Sequence, residues 1–377
     1  MNELIEKIKK IKDEMNSYFL ERREEIDILW TAILSKKHIY LLGEPGTGKS
    51  MLCRAIAQHI EGARYFDWLL TKFTTPDEIF GPPDISSIEE GKYRRVIDGK
   101  LPTVHIAFLD EVFKANSSIL NALLKILNER LFDNDTQPIE VPLISLFTSS
   151  NELPSEDENL SALYDRLHLR KIVTQITDIE NERKLLKLND KYEPKTKITL
   201  DEIYTLHKIV KKVDIDYIID DAIKIFRTLK DKGIFISNRR KKESMDIIRA
   251  YTLLNGKTKA DTDDLEILQY VLWNEPQEVQ NVASTVLQIS NPFEEKAKEI
   301  MAMLDDLEKR IEQYTELNPE VFEIYQKLLT IDKDVKNLLE TAERIQKNTK
   351  SLREVRDRIK NMIKAMRKDF WGFEEGE

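Results

Sequence analysis

The densest chemistry in this 377-residue chain sits in eight residues, Gly43-Glu44-Pro45-Gly46-Thr47-Gly48-Lys49-Ser50, which fit the pattern G-x-x-x-x-G-K-[ST]. Glycines at this spacing let consecutive backbone N–H groups curl around phosphate oxygens, and a helix starting at the loop points its positive end at them. Lys49 is placed to reach the β- and γ-phosphates of a nucleotide and the Ser50 hydroxyl to ligate Mg²⁺. Met51, next in that helix, completes the run expected to line the nucleotide. Three of only 11 glycines fall in these eight residues, which argues against an accidental glycine-rich turn. Cys53, one helical turn later, has nothing near it in sequence to lower its pKa and reads as a buried apolar residue rather than a nucleophile.

A second set lies further on. Ile106-Ala107-Phe108-Leu109 ends in Asp110-Glu111, which puts two carboxylates at the carboxyl edge of a buried strand, where open α/β sheets bind ligands. Asp110 is expected to hold Mg²⁺ through water and Glu111 to orient and polarise an attacking water. The alternative is two solvated acids capping the next helix. Asn151 follows the run Leu143–Phe147 and Thr148-Ser149-Ser150. It could hydrogen-bond the same water or the γ-phosphate, or simply shape a turn, since Asn-Glu-Leu-Pro is loop-like. Arg166 could neutralise transition-state charge in a neighbouring subunit's site, or merely pair with Asp165; Arg170 competes for that role. Ser237-Asn238-Arg239-Arg240 reads as an N-cap followed by two arginines in a first turn, where positive charge opposes the helix dipole. An anion such as a γ-phosphate would explain Arg239.

These residues need a particular scaffold. Apolar runs at Ile39–Leu42, Ala63–Leu70, Ile106–Leu109, Leu143–Phe147 and Ile172-Val173, separated by helical spacing such as Ile119 to Leu131, predict a parallel sheet with helices on both faces over residues 1–173. After Thr174 the strand signals stop. Capping boxes at Thr177–Glu180 and Thr199–Glu202, and a stop at Asn255-Gly256, predict an all-helical domain over residues 174–288. Residues 289–377 carry heptad-like spacing, from Ile300, Leu304, Leu307 and Ile311 through Val321 to Ile345, with a slip near Leu352. Pro319 should end one helix and start the next, so a helical hairpin or coiled coil is expected.

Composition narrows the classes. One cysteine excludes a disulfide framework and a multi-thiolate metal site, and five histidines show no ligand spacing. No apolar run approaches the ~20 residues of a membrane helix, and the opening residues lack the apolar core of a secretory signal, so a cytoplasmic protein is expected. A net charge of −9 disfavours general nucleic-acid coating. The basic run Lys350–Lys368 is read as a solvated helix face, with contact to an acidic partner, lipid or nucleic acid as the alternative. Trp371 and Phe373 could dock or cap the hairpin, and the acidic residues 374–377 are expected to be disordered.

With these residues in place, the chain resembles the AAA+ ATPases of the MoxR family, in particular a RavA-like branch. Residues 43–50 resemble its Walker A motif, Phe108–Glu111 continuing into Val112–Ala115 its Walker B motif, and Ser150–Pro154 its sensor 1. Leu163–Arg166 resembles its arginine-finger segment, Ser237–Arg240 its sensor 2, and Thr71–Pro82 leading into Gly91–Arg95 its insertion region. The likeness runs from about residue 15 to about residue 285. It implies ATP as the nucleotide and a homo-hexameric ring, with Arg166 acting on a neighbour's site and Arg239 in cis. It also implies a chaperone-like remodelling role, often with a von Willebrand factor A domain partner. The C-terminal helices depart from the branch, which carries a further compact domain with β-structure there. Two other functions compete. One is a nucleic-acid motor, supported by Tyr93-Arg94-Arg95 and the basic last helix; the other is a nucleotide-gated scaffold.

Overall fold

Ile39–Leu42, buried on every residue, is the kind of uninterrupted apolar run that only a central parallel strand accommodates. The computed structural model, which describes residues 2–135, 137–154, 158–188, 191–314, 316–344 and 347–372, places it as strand β1 after two helices, α1 (Asn2–Tyr18) and α2 (Arg23–Ser35). Then come α3 (Lys49–Gln58), the two-residue β2 (Ile60–Glu61), β3 (Tyr65–Leu69), α4 (Pro76–Phe80), α5 (Ile85–Glu89), β4 (Ile106–Asp110) and α6 (Ser117–Glu129). An antiparallel pair, β5 (Leu131–Asp133) and β6 (Pro138–Glu140), precedes β7 (Ser145–Ser150), α7 (Glu158–Arg166) and β8 (Leu169–Ile172).

The main sheet is parallel with order β3-β4-β7-β1-β8. Ile39 and Leu41 enter the core shared with α1, α2 and α3, whereas Tyr40 and Leu42 enter the core shared with α6 and α7, so both faces are covered. Two strands are displaced from the sequence reading. β7 runs Ser145–Ser150 rather than Leu143–Phe147, and β8 covers Leu169–Ile172 rather than starting at Ile172. The polar end of β7 stays buried because its hydroxyls have partners: Thr148 Oγ1 donates to the Ile39 carbonyl at 2.9 Å and Ser149 Oγ donates to Asp110.

Helices α8 (Ile179–Leu185), α9 (Leu200–Val210), α10 (Ile219–Asp231), α11 (Asn238–Leu254) and α12 (Val279–Ser290) follow, with one strand exception, β9 (Ile198–Thr199), which pairs parallel with β2. The Thr199–Glu202 capping box forms as the sequence predicts. At α8 the N-cap is Asp178, which accepts from the Asn181 N–H at 2.8 Å. Thr177 is held instead by the Glu21 carboxylate, through its N–H at 3.0 Å. α11 ends at Leu254, and Gly256 takes a left-handed φ of +78°, which favours glycine.

The expected hairpin has a third limb. α13 (Pro292–Ile311), α14 (Pro319–Arg344) and α15 (Lys350–Trp371) share a core that includes Leu304, Val321, Leu328, Val335, Leu352 and Ile359. The slip in apolar phase near Leu352 therefore marks a chain reversal: a helix that turns back must restart its stripe in a new register. Three basic residues of α15 are ion-paired across the bundle surface, Arg358 with Asp305 (2.6 Å) and Glu308, Arg356 with Asp332 (3.4 Å) and Arg353 with Glu343 (2.7 Å). Trp371 packs on Tyr325 with ring centres 4.9 Å apart. Ile345, Phe373 and the acidic residues 374–377 lie outside the described residues. The bundle is tied to the helical domain by Lys347, which donates to Asp263 at 2.7 Å and to the Ser290 carbonyl at 2.8 Å. No helix among the described residues is long and apolar enough to cross a membrane.

Candidate active site

The chain leaves β1 at Leu42 and turns at Gly43, where a Cβ would lie 2.3 Å from the Val173 carbonyl oxygen, so only glycine lets the loop pass so close to the strand exit of β8. Gly46 and Gly48 take φ of +83° and +82°, which side-chain-bearing residues rarely adopt, and Gly48 is the N-cap of α3. Within the loop Thr47 Oγ1 donates to the Glu44 carbonyl at 3.0 Å. Lys49 Nζ donates to the carbonyls of Gly43 and Glu44, each at 2.8 Å, so its ammonium is held inside the bend. Burial pushes that ammonium's pKa down, while Asp110 and Glu111 pull it up. Among the described residues no acceptor is paired with the N–H groups of Thr47, Gly48, Lys49 or Ser50. A run of free N–H donors with a buried ammonium at its centre fits a triphosphate. Ser50 and Met51 lie in the first turn of α3, with Met51 exposed.

Asp110 ends β4, and Glu111 follows in a left-handed conformation with φ of +54°. For a non-glycine residue that costs about 1–3 kcal/mol and is concentrated at functional sites. Asp110 accepts from Ser149 Oγ and from the Glu111 N–H at 3.1 Å. The Glu111 carboxylate is ion-paired with Lys114 at 3.0 Å and is mostly buried. The set of one hydroxyl (Ser50) and one carboxylate (Asp110) suits Mg²⁺, which completes its shell with phosphates and water. No group of three or more His, Cys, Asp or Glu able to hold a metal occurs among the described residues, in keeping with that sparse donor set.

Asn151 follows the last residue of β7, and β7 lies between β4 and β1. The tips carrying the loop, the acidic pair and Asn151 are thus three adjacent strand ends: Leu42 is in register with Ser150, and Leu109 with Thr148. The arginines separate clearly. Arg170 is fully buried on β8; it donates to the carbonyls of Trp273 (2.6 Å), Tyr164 (2.8 Å) and Leu167 (3.0 Å), and burial pushes its pKa down to about 9. So enclosed, its guanidinium presents no exposed surface. Arg166 lies partly exposed at the end of α7 and donates to Asn128 Oδ1 and the Ala162 carbonyl, each at 2.5 Å. Arg239, half exposed, lies 3.9 Å from Asp165. Ser237 is the expected N-cap, accepting from the Arg240 N–H at 3.1 Å. Part of the anionic charge expected near this helix start is thus the protein's own: Asp165 also accepts from Ser237 (3.1 Å) and lies 3.5 Å from Arg240, which is buried.

Sequence reasoning missed several supports. Arg22 is buried and donates to the Thr174 carbonyl at 2.6 Å and to the loop's Thr47 carbonyl at 3.3 Å. Within Glu-Arg-Arg-Glu it gives no signal of burial. Gln175 donates to Glu44 Oε2 at 2.8 Å. Ser149 was foreshadowed by the polar run closing β7. Cys53 is buried, as expected, and its thiol is pushed well up by burial. His38 and His168 are buried neighbours with ring centres 6.4 Å apart, whereas His59 is bound to the Thr196 carbonyl and the Tyr192 hydroxyl, each at 2.6 Å.

A glycine-bent phosphate loop at the end of a central strand, two acids at the end of the next strand but one, and a helical domain behind them define a P-loop ATPase of the AAA+ class. The model of the MoxR domain in the MoxR-vWA-beta-propeller ternary systems matches residues 6–211, and that of an AAA lid domain matches residues 201–286. The chain is 50% identical over 307 residues to the uncharacterized protein MJ0812 of Methanocaldococcus jannaschii, covering 81% of this chain and 82% of the relative. A second protein of that organism, MJ0079, is 45% identical over 334 residues, covering 88% and 87%. A solved structure of a candidate ATPase from Cytophaga hutchinsonii shares the fold with a TM-score of 0.61 at 17% identity, covering 76% of this chain and 95% of that one. The chain belongs to the MoxR family of AAA+ ATPases.

Proposed function

We propose that this MoxR-family protein hydrolyses Mg-ATP at sites between the subunits of a homo-hexameric ring and uses that turnover to remodel or activate a protein partner. The observation that carries the reading is the adjacency of three strand tips, bearing the loop, Asp110-Glu111 and Asn151. In this scheme residues 43–51 bind the nucleotide, and Ser50 and Asp110 hold Mg²⁺, which when bound neutralises phosphate charge. Glu111 takes a proton from, or polarises, the attacking water, which Asn151 helps to orient. Arg166 serves the site of the adjoining subunit and Arg239 its own. The partial exposure of Arg166, set against the enclosure of Arg170, supports that choice.

The chain is divided, in this proposal, into an ATPase core (residues 1–173), a lid (174–288) and a C-terminal helical unit (289–377) that recruits the partner. A partner with a von Willebrand factor A domain is proposed because the matching family model is drawn from MoxR-vWA-beta-propeller systems. A cytoplasmic location and the RavA-like affiliation belong to the same proposal. The nucleic-acid motor is disfavoured by the ion pairs of Arg353, Arg356 and Arg358 with acids of the same bundle, which occupy part of the basic face of α15. The test is affinity capture with the Glu111→Gln chain held in ATP, alongside sedimentation of the same sample. A nucleotide-dependent ring that retains a specific protein supports the proposal. A monomer in ATP, or a DNA-stimulated ATPase with no protein retained, contradicts it.

A further inference from the structure

Lys36 and the phosphate loop stand at opposite ends of β1, so at least the strand's length, ~13 Å at ~3.3 Å per residue, separates them. Around Lys36 lies a cavity of about 420 Å³ lined by Lys36, Tyr204, His207, Lys208 and Lys211. Lys36 is the left-handed C-cap of α2, and Lys211 is the C-cap of α9. Two elements distant in sequence therefore bring three exposed lysine side chains to the lining of one concavity. No carboxylate lines it, and among the described residues none of the three lysine ammonium groups has a hydrogen bond or an ion pair. Asp201 acts on the Tyr204 hydroxyl but stands outside the lining. Lys37, next in sequence, is already committed to Glu243 and to Asp246 at 3.2 Å.

His207 is 5% exposed; its Nε2 faces the Ile33 carbonyl at 2.9 Å, which fixes the ring proton there and leaves Nδ1 a buried acceptor with no partner, so the ring lines the cavity as a neutral group and the charge of the site comes from the lysines. Lys36 is held below the ordinary lysine pKa by burial, by Lys211 and by Arg130. Cations near helix C-termini are favourable in themselves, yet each helix end supplies only about half a negative charge. Two ends leave three ammonium groups under-compensated.

We propose that this cavity is a binding site for a small, multiply charged phosphate anion, separate from the phosphate loop. Convergence on one concavity, rather than a stripe of cations, suits a compact anion better than an extended polyanion. Tetrahedral phosphate oxygens can accept from several ammonium groups at once. Because Lys36 comes from α2 and Lys208 and Lys211 from the α9 region, the bound anion clamps those two helices together beside the His207–Ile33 hydrogen bond.

The test is calorimetric titration of tripolyphosphate into the full chain carrying Lys49→Ala, which removes competition from the phosphate loop. One-site binding is expected, weakened at least tenfold when Lys36→Gln, Lys208→Gln and Lys211→Gln are added. In the Lys49→Ala chain with all three lysines intact, the His207 ring resonances should shift on addition of the anion. Absence of binding, binding indifferent to the triple substitution, or no movement of His207 would overturn the proposal. So would binding of a 15-residue oligothymidylate at this face in place of tripolyphosphate.

Discussion

The Arg170 guanidinium lies 3.6 Å from the centre of the Tyr164 ring and donates to the Tyr164 carbonyl at 2.8 Å, so one residue supplies both its stacking surface and an acceptor. A third contact, to the Trp273 carbonyl at 2.6 Å, extends the link into the helical domain. Arg170 is thus a buried tie between β8, α7 and the segment before α12. Replacing it with methionine leaves several buried carbonyls without donors, each worth ~1–3 kcal/mol. Urea unfolding of Arg170→Met should show a loss of about 3 kcal/mol or more, and a loss below about 1 kcal/mol would contradict this assignment.

The opposite behaviour is expected at Arg166. It is partly exposed, and Arg166→Ala should change stability little while abolishing ATPase activity. Mixed with Lys49→Ala chains, it should regain some activity, because an Arg166→Ala subunit keeps an intact loop and can borrow the arginine of its neighbour. Absence of recovery across all mixing ratios would place the site wholly in cis.

Ser149 holds Asp110 from the neighbouring strand. Ser149→Ala should free that carboxylate and raise the Mg²⁺ concentration needed for half-maximal ATPase severalfold, with nucleotide binding in EDTA unchanged. An unaltered Mg²⁺ dependence would show that Asp110 needs no such anchor.

Glu266 gives a prediction about pH. Its carboxyl, hydrogen-bonded to Tyr251, is pushed up to about 7 by burial, with Glu294 and Asp263 adding to the effect. A carboxyl raised above its unfolded value of 4.5 favours folding at low pH and loses that contribution as pH rises through about 7. Relative to wild type, Glu266→Gln should therefore gain thermal stability between pH 5 and pH 8. Parallel melting-temperature curves for the two proteins would refute it.

The sequence carried the strands through apolar runs and the loop through its glycines, because local spacing dictates both. It did not carry Arg170 or Asp165. Their partners, Trp273, Ser237 and Arg240, lie roughly 70 to 100 residues away, and an arginine that finds carbonyl acceptors is indistinguishable in sequence from a solvated one. The extent of β7 was missed for a related reason: Thr148 and Ser149 read as the polar run after the strand until neighbouring strands supply their acceptors. The third helix of the C-terminal bundle was half visible, as a break in phase whose meaning depends on the chain turning back.

The central claim is that Glu111 activates water at a site where the phosphate loop holds Mg-ATP. Titration calorimetry and single-turnover hydrolysis, made on the same preparations of wild type and Glu111→Gln, test it most directly. Glu111→Gln should bind Mg-ATP within a few-fold of wild type and hydrolyse it more slowly by ~10² or more. Wild-type hydrolysis rates in Glu111→Gln, or no heat when folded wild-type protein meets Mg-ATP, would contradict it.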